Sequence, residues 1–162
     1  EGGGLKVEAL RVDHSPVEPA VGYRFSYGGR SLLISGDTVK LANIVEFARG
    51  VDLLVHEALA PNLVNMMHST ARQIGDPIMA KITHDILDYH ASPVEAAETA
   101  REAGVGHLLY YHVVPPLVIP GQKALYLNGA GEIFPDYTIG EDGVSFTLPA
   151  GSEEIRLTRK GL

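Results

Sequence analysis

The chain has 162 residues, 45% hydrophobic and 20% charged, with a formal net charge of −7 and no cysteine. That balance excludes a disordered tail, a disulfide framework and a thiolate metal site, so any metal must be held by histidine and carboxylate. No apolar run is long enough to span a bilayer, and the 13 Lys and Arg form no long run that would advertise a broad phosphate-binding face. The opening Glu1-Gly2-Gly3-Gly4 has the character of neither a signal peptide nor a transit peptide and reads as a loop cut open. A soluble protein is expected, with the compartment open between cytoplasm and periplasm.

Leu5 to Val12 reads as a strand running into Asp13-His14, and the two prolines of Ser15 to Pro19 make a loop. Val21 to Tyr27, rich in aromatic and β-branched residues, turns at Gly28-Gly29 into Ser31 to Ser35, as in a hairpin. Gly36 then turns the backbone and leaves Asp37 at the strand's carboxyl end, where open α/β sheets set their sites. Thr38 is the expected N-cap of a helix with Leu41, Ile44, Val45 and Ala48 on one face, stopped by Gly50. The strand Asp52 to Val55 ends at His56, completing a βαβ-like unit. Pro61 and Asp76-Pro77 each suit the start of a short helix, making residues 60–89 an inserted helical segment that serves as a cover or a dimer contact. Ser92-Pro93-Val94-Glu95 supplies an N-cap, a proline at N1 and a capping-box glutamate for an alanine-rich helix ending at Gly104. Leu108 to Tyr111 is a strand ending at His112. Prolines 115, 116 and 120 force a loop, Gln122 to Asn128 makes a turn or two of helix, and Tyr137–Ile139 with Val144–Leu148 reads as a terminal hairpin.

Asp37, His56 and His112 at the ends of apolar strands form a candidate metal-binding edge, because a cation held there acidifies bound water for attack on an ester. Taken singly, each residue has a plainer reading: a histidine is more often a surface or satisfied core residue, and an aspartate after glycine is as readily a turn or helix cap. His68, His84 and His107 receive that plainer reading, and Met66 and Met67 are read as helix packing. No GxSxG elbow is present, and the glycines at 2–4 lack the helix that a phosphate loop requires.

The ordered set His14, Pro19-Ala20-Val21-Gly22-Tyr23-Arg24, SGDT at 35–38, HEA at 56–58, HAS at 90–92 and Tyr111-His112 resembles the metallo-β-lactamase superfamily, and within it the ribonuclease Z and arylsulfatase-type branch. The resemblance runs from about residue 5 to residue 118. It implies half of an αββα sandwich, an α/β (α+β) unit with a mixed sheet and flanking helices, in which His14, Asp37 and His112 are metal ligands and Asp37 bridges two ions. It makes His90 the residue that contacts the scissile group, with His56 and Glu57 orienting it or relaying protons. The implied activity is hydrolysis of an ester, phosphodiester or sulfate ester by a hydroxide bridging two zinc ions, with manganese or iron as other metals.

The family's HxHxDH motif occurs nowhere in these residues, and HEAL and HAS stand where ribonuclease Z has HEAT and HST. The expectation is therefore a single unit over 1–162 that forms the C-terminal portion of a larger domain, with its N-terminal half as partner and a homodimer as the assembly. Small ester substrates are favoured over RNA because acidic residues dominate the second half of the chain. The competing reading is a catalytically inactive half-domain that self-associates.

Overall fold

The computed structural model describes residues 4–160; Gly2 and Gly3 of the opening glycine run lie outside them. Six strands form one mixed sheet in chain order: β1 (Lys6–Val12), β2 (Ala20–Tyr27), β3 (Arg30–Ile34), β4 (Leu53–Leu59), β5 (His107–Val114) and β6 (Tyr137–Ile139). The first three pair antiparallel, and β3 through β6 pair parallel. Two reversals bring β1 parallel to β3, so the carboxyl ends of β1, β3, β4 and β5 share one edge of the sheet.

Helices α1 (Ala42–Ala48) and α4 (Pro93–Ala103) pack on the sheet and on each other. Small side chains permit this close approach: Ala48, Ala96, Ala97 and Ala100 are fully buried, with Ile44 between them and Leu33, Leu54 and Leu108 beneath. The capping box at the start of α4 forms, with Glu95 N–H donating to Ser92 Oγ and the Glu95 carboxylate accepting from Ser92 N–H at 2.8 Å. Two short helices, α5 (Gln122–Leu127) and α6 (Ala130–Ile133), complete this layer. The buried hydroxyls of Tyr110 and Tyr126 donate to the carbonyls of Pro93 and Ala58, so neither is left unsatisfied. On the outer part of the sheet, β1 buries Leu10 and Val12, whereas Val7, Val21, Tyr23 and Tyr27 stay exposed. The β1/β2 register, Val7 opposite Phe25 and Ala9 opposite Tyr23, gathers these exposed residues on one face.

Between β4 and α4 runs a helical hairpin, α2 (Pro61–Ile74) and α3 (Pro77–Asp85), followed by a 3₁₀ turn at Ile86–Asp88. Gly75 takes the left-handed conformation that closes α2, and the Asp76 carboxylate accepts from Ile78 and Met79 N–H to open α3. Leu63 and Val64 are buried, but Ile78 is 73% and Ile82 48% exposed, so the apolar stripe of α3 faces outward.

Four expectations are corrected. Thr38 caps no helix: Leu41 precedes α1 and no side chain caps that end, because the Thr38 hydroxyl is engaged by Asp13 N–H and the Val39 carbonyl. Residues 137–139 and 144–148 do not pair; β6 joins the main sheet beside β5, while β7 (Val144–Thr147) pairs with β8 (Arg156–Arg159), a polar strand without an apolar pattern to announce it. Met66 and Met67 do not pack in the core, being 62% and 40% exposed. His68 is half-buried rather than a surface residue, its Nδ1 donating to the Ala80 carbonyl across the hairpin.

Candidate metal centre

The shared edge brings together four of the six residues singled out in the sequence. The rings of His14 and His90 lie 4.9 Å apart between centroids, those of His90 and His112 5.6 Å, and His112 Nε2 stands 3.7 Å from Asp37 Oδ2. Asp37 and His112 are 38% and 45% exposed, so their donor atoms look outward, whereas His90 is nearly buried behind them.

Local backbone geometry sets each side chain. At Gly36, φ is +67° and a Cβ would stand 2.4 Å from the Val21 carbonyl oxygen, so only glycine permits the turn that aims Asp37. The loop of His14 is tied to the loop of Asp37 by Val39 N–H donating to the Asp13 carbonyl. Opposite β4, Glu57 faces Tyr111 and Ala58 faces Val113, which leaves His112 as the extra residue of a β-bulge at φ +44°. Its strand therefore continues past it to Val114. A bulge with a strained left-handed residue is a common means of re-aiming a functional side chain.

Glu57 lies beneath the cluster with no exposure. Its Oε1 accepts from Thr38 N–H at 3.1 Å and Ala91 N–H at 3.0 Å, and its own N–H donates to Ser35 Oγ. His90 Nδ1 approaches the same oxygen at 3.1 Å without hydrogen-bond alignment. His14 Nδ1 is 2.9 Å from the Tyr89 carbonyl. A carbonyl only accepts, so Nδ1 carries the hydrogen and Nε2 keeps its lone pair for a cation. Burial, and after it the nearby Asp37 charge, pushes the Tyr111 hydroxyl up to about 12, keeping it a neutral donor beside the site.

His56 stays apart from this cluster. It neighbours Glu57 on one strand, and adjacent strand residues point to opposite faces. It is fully buried, its Nδ1 2.7 Å from the Glu57 carbonyl and its Nε2 without a partner, and burial pushes its pKa down so that it stays neutral. The β4 strand also continues past it to Leu59. Ser35, Thr38 and Tyr89 were not singled out as site residues, although they tie Glu57 and His14 in place; their signal was adjacency to Gly36-Asp37 and to His90.

Among the described residues no three histidine or carboxylate groups converge tightly enough to hold an ion alone. The donors nevertheless suit a borderline divalent cation: imidazole nitrogens, one of them fixed through its second nitrogen, and a carboxylate on a rigid turn.

A family profile described as "Beta-lactamase superfamily domain" matches residues 1–113. The ribonuclease Z of Mycobacterium sp. strain KMS is 35% identical over 140 residues, covering 86% of this chain and 45% of its own length. The chain thus spans about half the length of the relatives it matches. Among solved structures, the metallo-beta-lactamase fold protein YhfI from Bacillus subtilis has a TM-score of 0.61 at 20% identity, over 87% of this chain and 48% of its own. The Zn²⁺-bound PqqB of Methylobacterium extorquens has a TM-score of 0.51 at 14% identity, over 86% of this chain and 45% of its own. These two likenesses concern the fold. With two-thirds of its length matched by the family profile, its mixed sheet and its sequence kinship, the chain belongs to the metallo-β-lactamase superfamily and is ribonuclease Z-like within it.

Proposed function

We propose that this chain supplies one side of a two-metal hydrolase site, zinc-dependent in preference to manganese or iron, that cleaves an ester, phosphodiester or sulfate ester. The observation that carries the reading is the convergence of His14, Asp37, His90 and His112 at one sheet edge above the buried Glu57. His14 Nε2, the Asp37 carboxylate and His112 would hold the ions. The remaining ligands come from chain beyond these residues, which packs on the exposed face of Val7, Val21, Tyr23 and Tyr27. When bound, the ions supply Lewis acidity that lowers the pKa of water and offsets charge on the reacting oxygens. His90, backed by Glu57, offers its other ring nitrogen to the leaving oxygen as the bond breaks.

A small anionic or neutral ester suits this surface better than RNA. Seven of the 13 Lys and Arg face a carboxylate, and the formal net charge is −7, a balance that disfavours a polyanion. The second reading, processing of tRNA 3′ ends, is favoured by the 35% identity to proteins named ribonuclease Z. The full-length protein with zinc or manganese, assayed in parallel on an aryl phosphodiester, an aryl sulfate, a lactone and a precursor tRNA, separates them. The proposal expects the highest kcat/KM on a small ester. Precursor tRNA cut at its 3′ end far faster than any ester, with inhibition by salt, selects the second reading.

A further inference from the structure

All three methionines of the chain, Met66, Met67 and Met79, line one cavity of about 680 Å³. It lies between the α2–α3 hairpin and the loop after β5, and its walls include Leu63, Ile74, Pro116 and Val118. No charged side chain lines it; Thr70 and Gln122 are its polar members. Its volume falls within the roughly 300–1,000 Å³ typical of small-molecule sites.

The cavity wall begins three residues along the chain from His112. Pro115, also in its wall, follows His112 by three residues, a reach of at most about 10 Å. On the other side, Ala60 N–H donates to the Val114 carbonyl and the chain then enters α2, so Leu63 is anchored to the same strand end. Unbranched thioether side chains adapt to varied apolar shapes, and methionine is over-used on surfaces that accept several ligands. A polyanion gains nothing from such walls.

Resting on the hydrolase reading above, we infer that this cavity receives the apolar alkyl or aryl group of the substrate, so that the substrate class is a small ester with an apolar substituent. The α2–α3 hairpin is then the specificity element of the site.

The test uses the zinc-loaded full-length protein and 4-nitrophenyl alkyl phosphodiesters from methyl to octyl. Burial of each added methylene in the cavity raises kcat/KM by about fourfold until the cavity is full. Met67→Asn combined with Val118→Asn, both at exposed positions, lowers the octyl-to-methyl ratio toward one. A flat series in the wild type, with the methyl diester still cleaved, overturns the cavity assignment and leaves the hydrolase reading standing. If no diester is cleaved, the hydrolase reading fails for this class, and the methionine methyl NMR signals decide the cavity separately. Shifts at Met66, Met67 and Met79 on adding an octyl phosphonate support it, and unmoved signals overturn it. Signals that move on dilution without ligand, or that show contacts to the rest of the full-length chain, identify a second copy or that chain as the occupant and also overturn it.

Discussion

Glu57 joins two loops that are remote in the chain: one oxygen accepts from Thr38 and Ala91, and its own N–H reaches Ser35 in the Thr38 loop. Asp37 and His112 were legible because each ends an apolar run or follows a glycine, whereas His14 and His90 were legible through the family resemblance. The burial of Glu57 and the outward aim of His112 were not, since a bulge is a property of two strands and neither announces it alone. Roles at this scale separate by metal content. In the full-length protein, Asp37→Ala removes metal and activity together, whereas His90→Ala leaves metal nearly intact and lowers kcat by roughly 10²-fold or more, as expected for a lost proton-transfer or transition-state contact. Elemental analysis beside steady-state kinetics checks this, and His90→Ala that strips metal as fully as Asp37→Ala rejects the role given to His90. His56 makes a different prediction. Burial depresses its pKa below 6.5, so the unfolded chain takes up that proton more readily than the folded one. Its contribution to stability is complete above pH 6.5 and lost as pH falls below it. His56→Gln therefore flattens the decline in unfolding free energy, measured by urea titration, between pH 7 and 5, by at most about 1.4 kcal/mol per pH unit; an unchanged slope contradicts a neutral buried His56.

Among the elements, α4 was readable to its first residue because the capping box, the N1 proline and the terminal glycine agree. The hairpin expected at 137–148 failed because alternation identifies a strand but not its partner, and β6 finds a buried neighbour in β5. The α2–α3 hairpin was legible as two helices and not as to its faces: Ile78 and Ile82 follow a buried-helix spacing yet look outward. Its two ends lie side by side, since Leu59 N–H donates to the Ala91 carbonyl at 2.8 Å. Replacing residues 61–87 by a short glycine linker, with Tyr89 kept to hold His14, therefore preserves metal binding in the full-length protein. It changes substrate range or oligomeric state. Kinetics across a substrate panel together with gel-filtration elution check this, and no change in either removes the functional role of the hairpin.

At the scale of the molecule, the sheet is covered on one side by α1 and α4 to α6 and shows Val7, Val21, Tyr23 and Tyr27 on another face. Contiguous apolar surface of this kind marks an interaction site. The family was legible from the order of its motifs, each weak alone, and the missing HxHxDH motif was legible as directly. On the proposed function, these 162 residues hold one side of a two-metal site. Zinc stoichiometry after exhaustive dialysis, measured on this chain alone and on the full-length protein, tests it most directly. The account predicts about two zinc ions per full-length chain and well under one on the 162 residues alone, because an incomplete ligand set loses most of its affinity; two tightly held ions on the short chain with no partner present would contradict it.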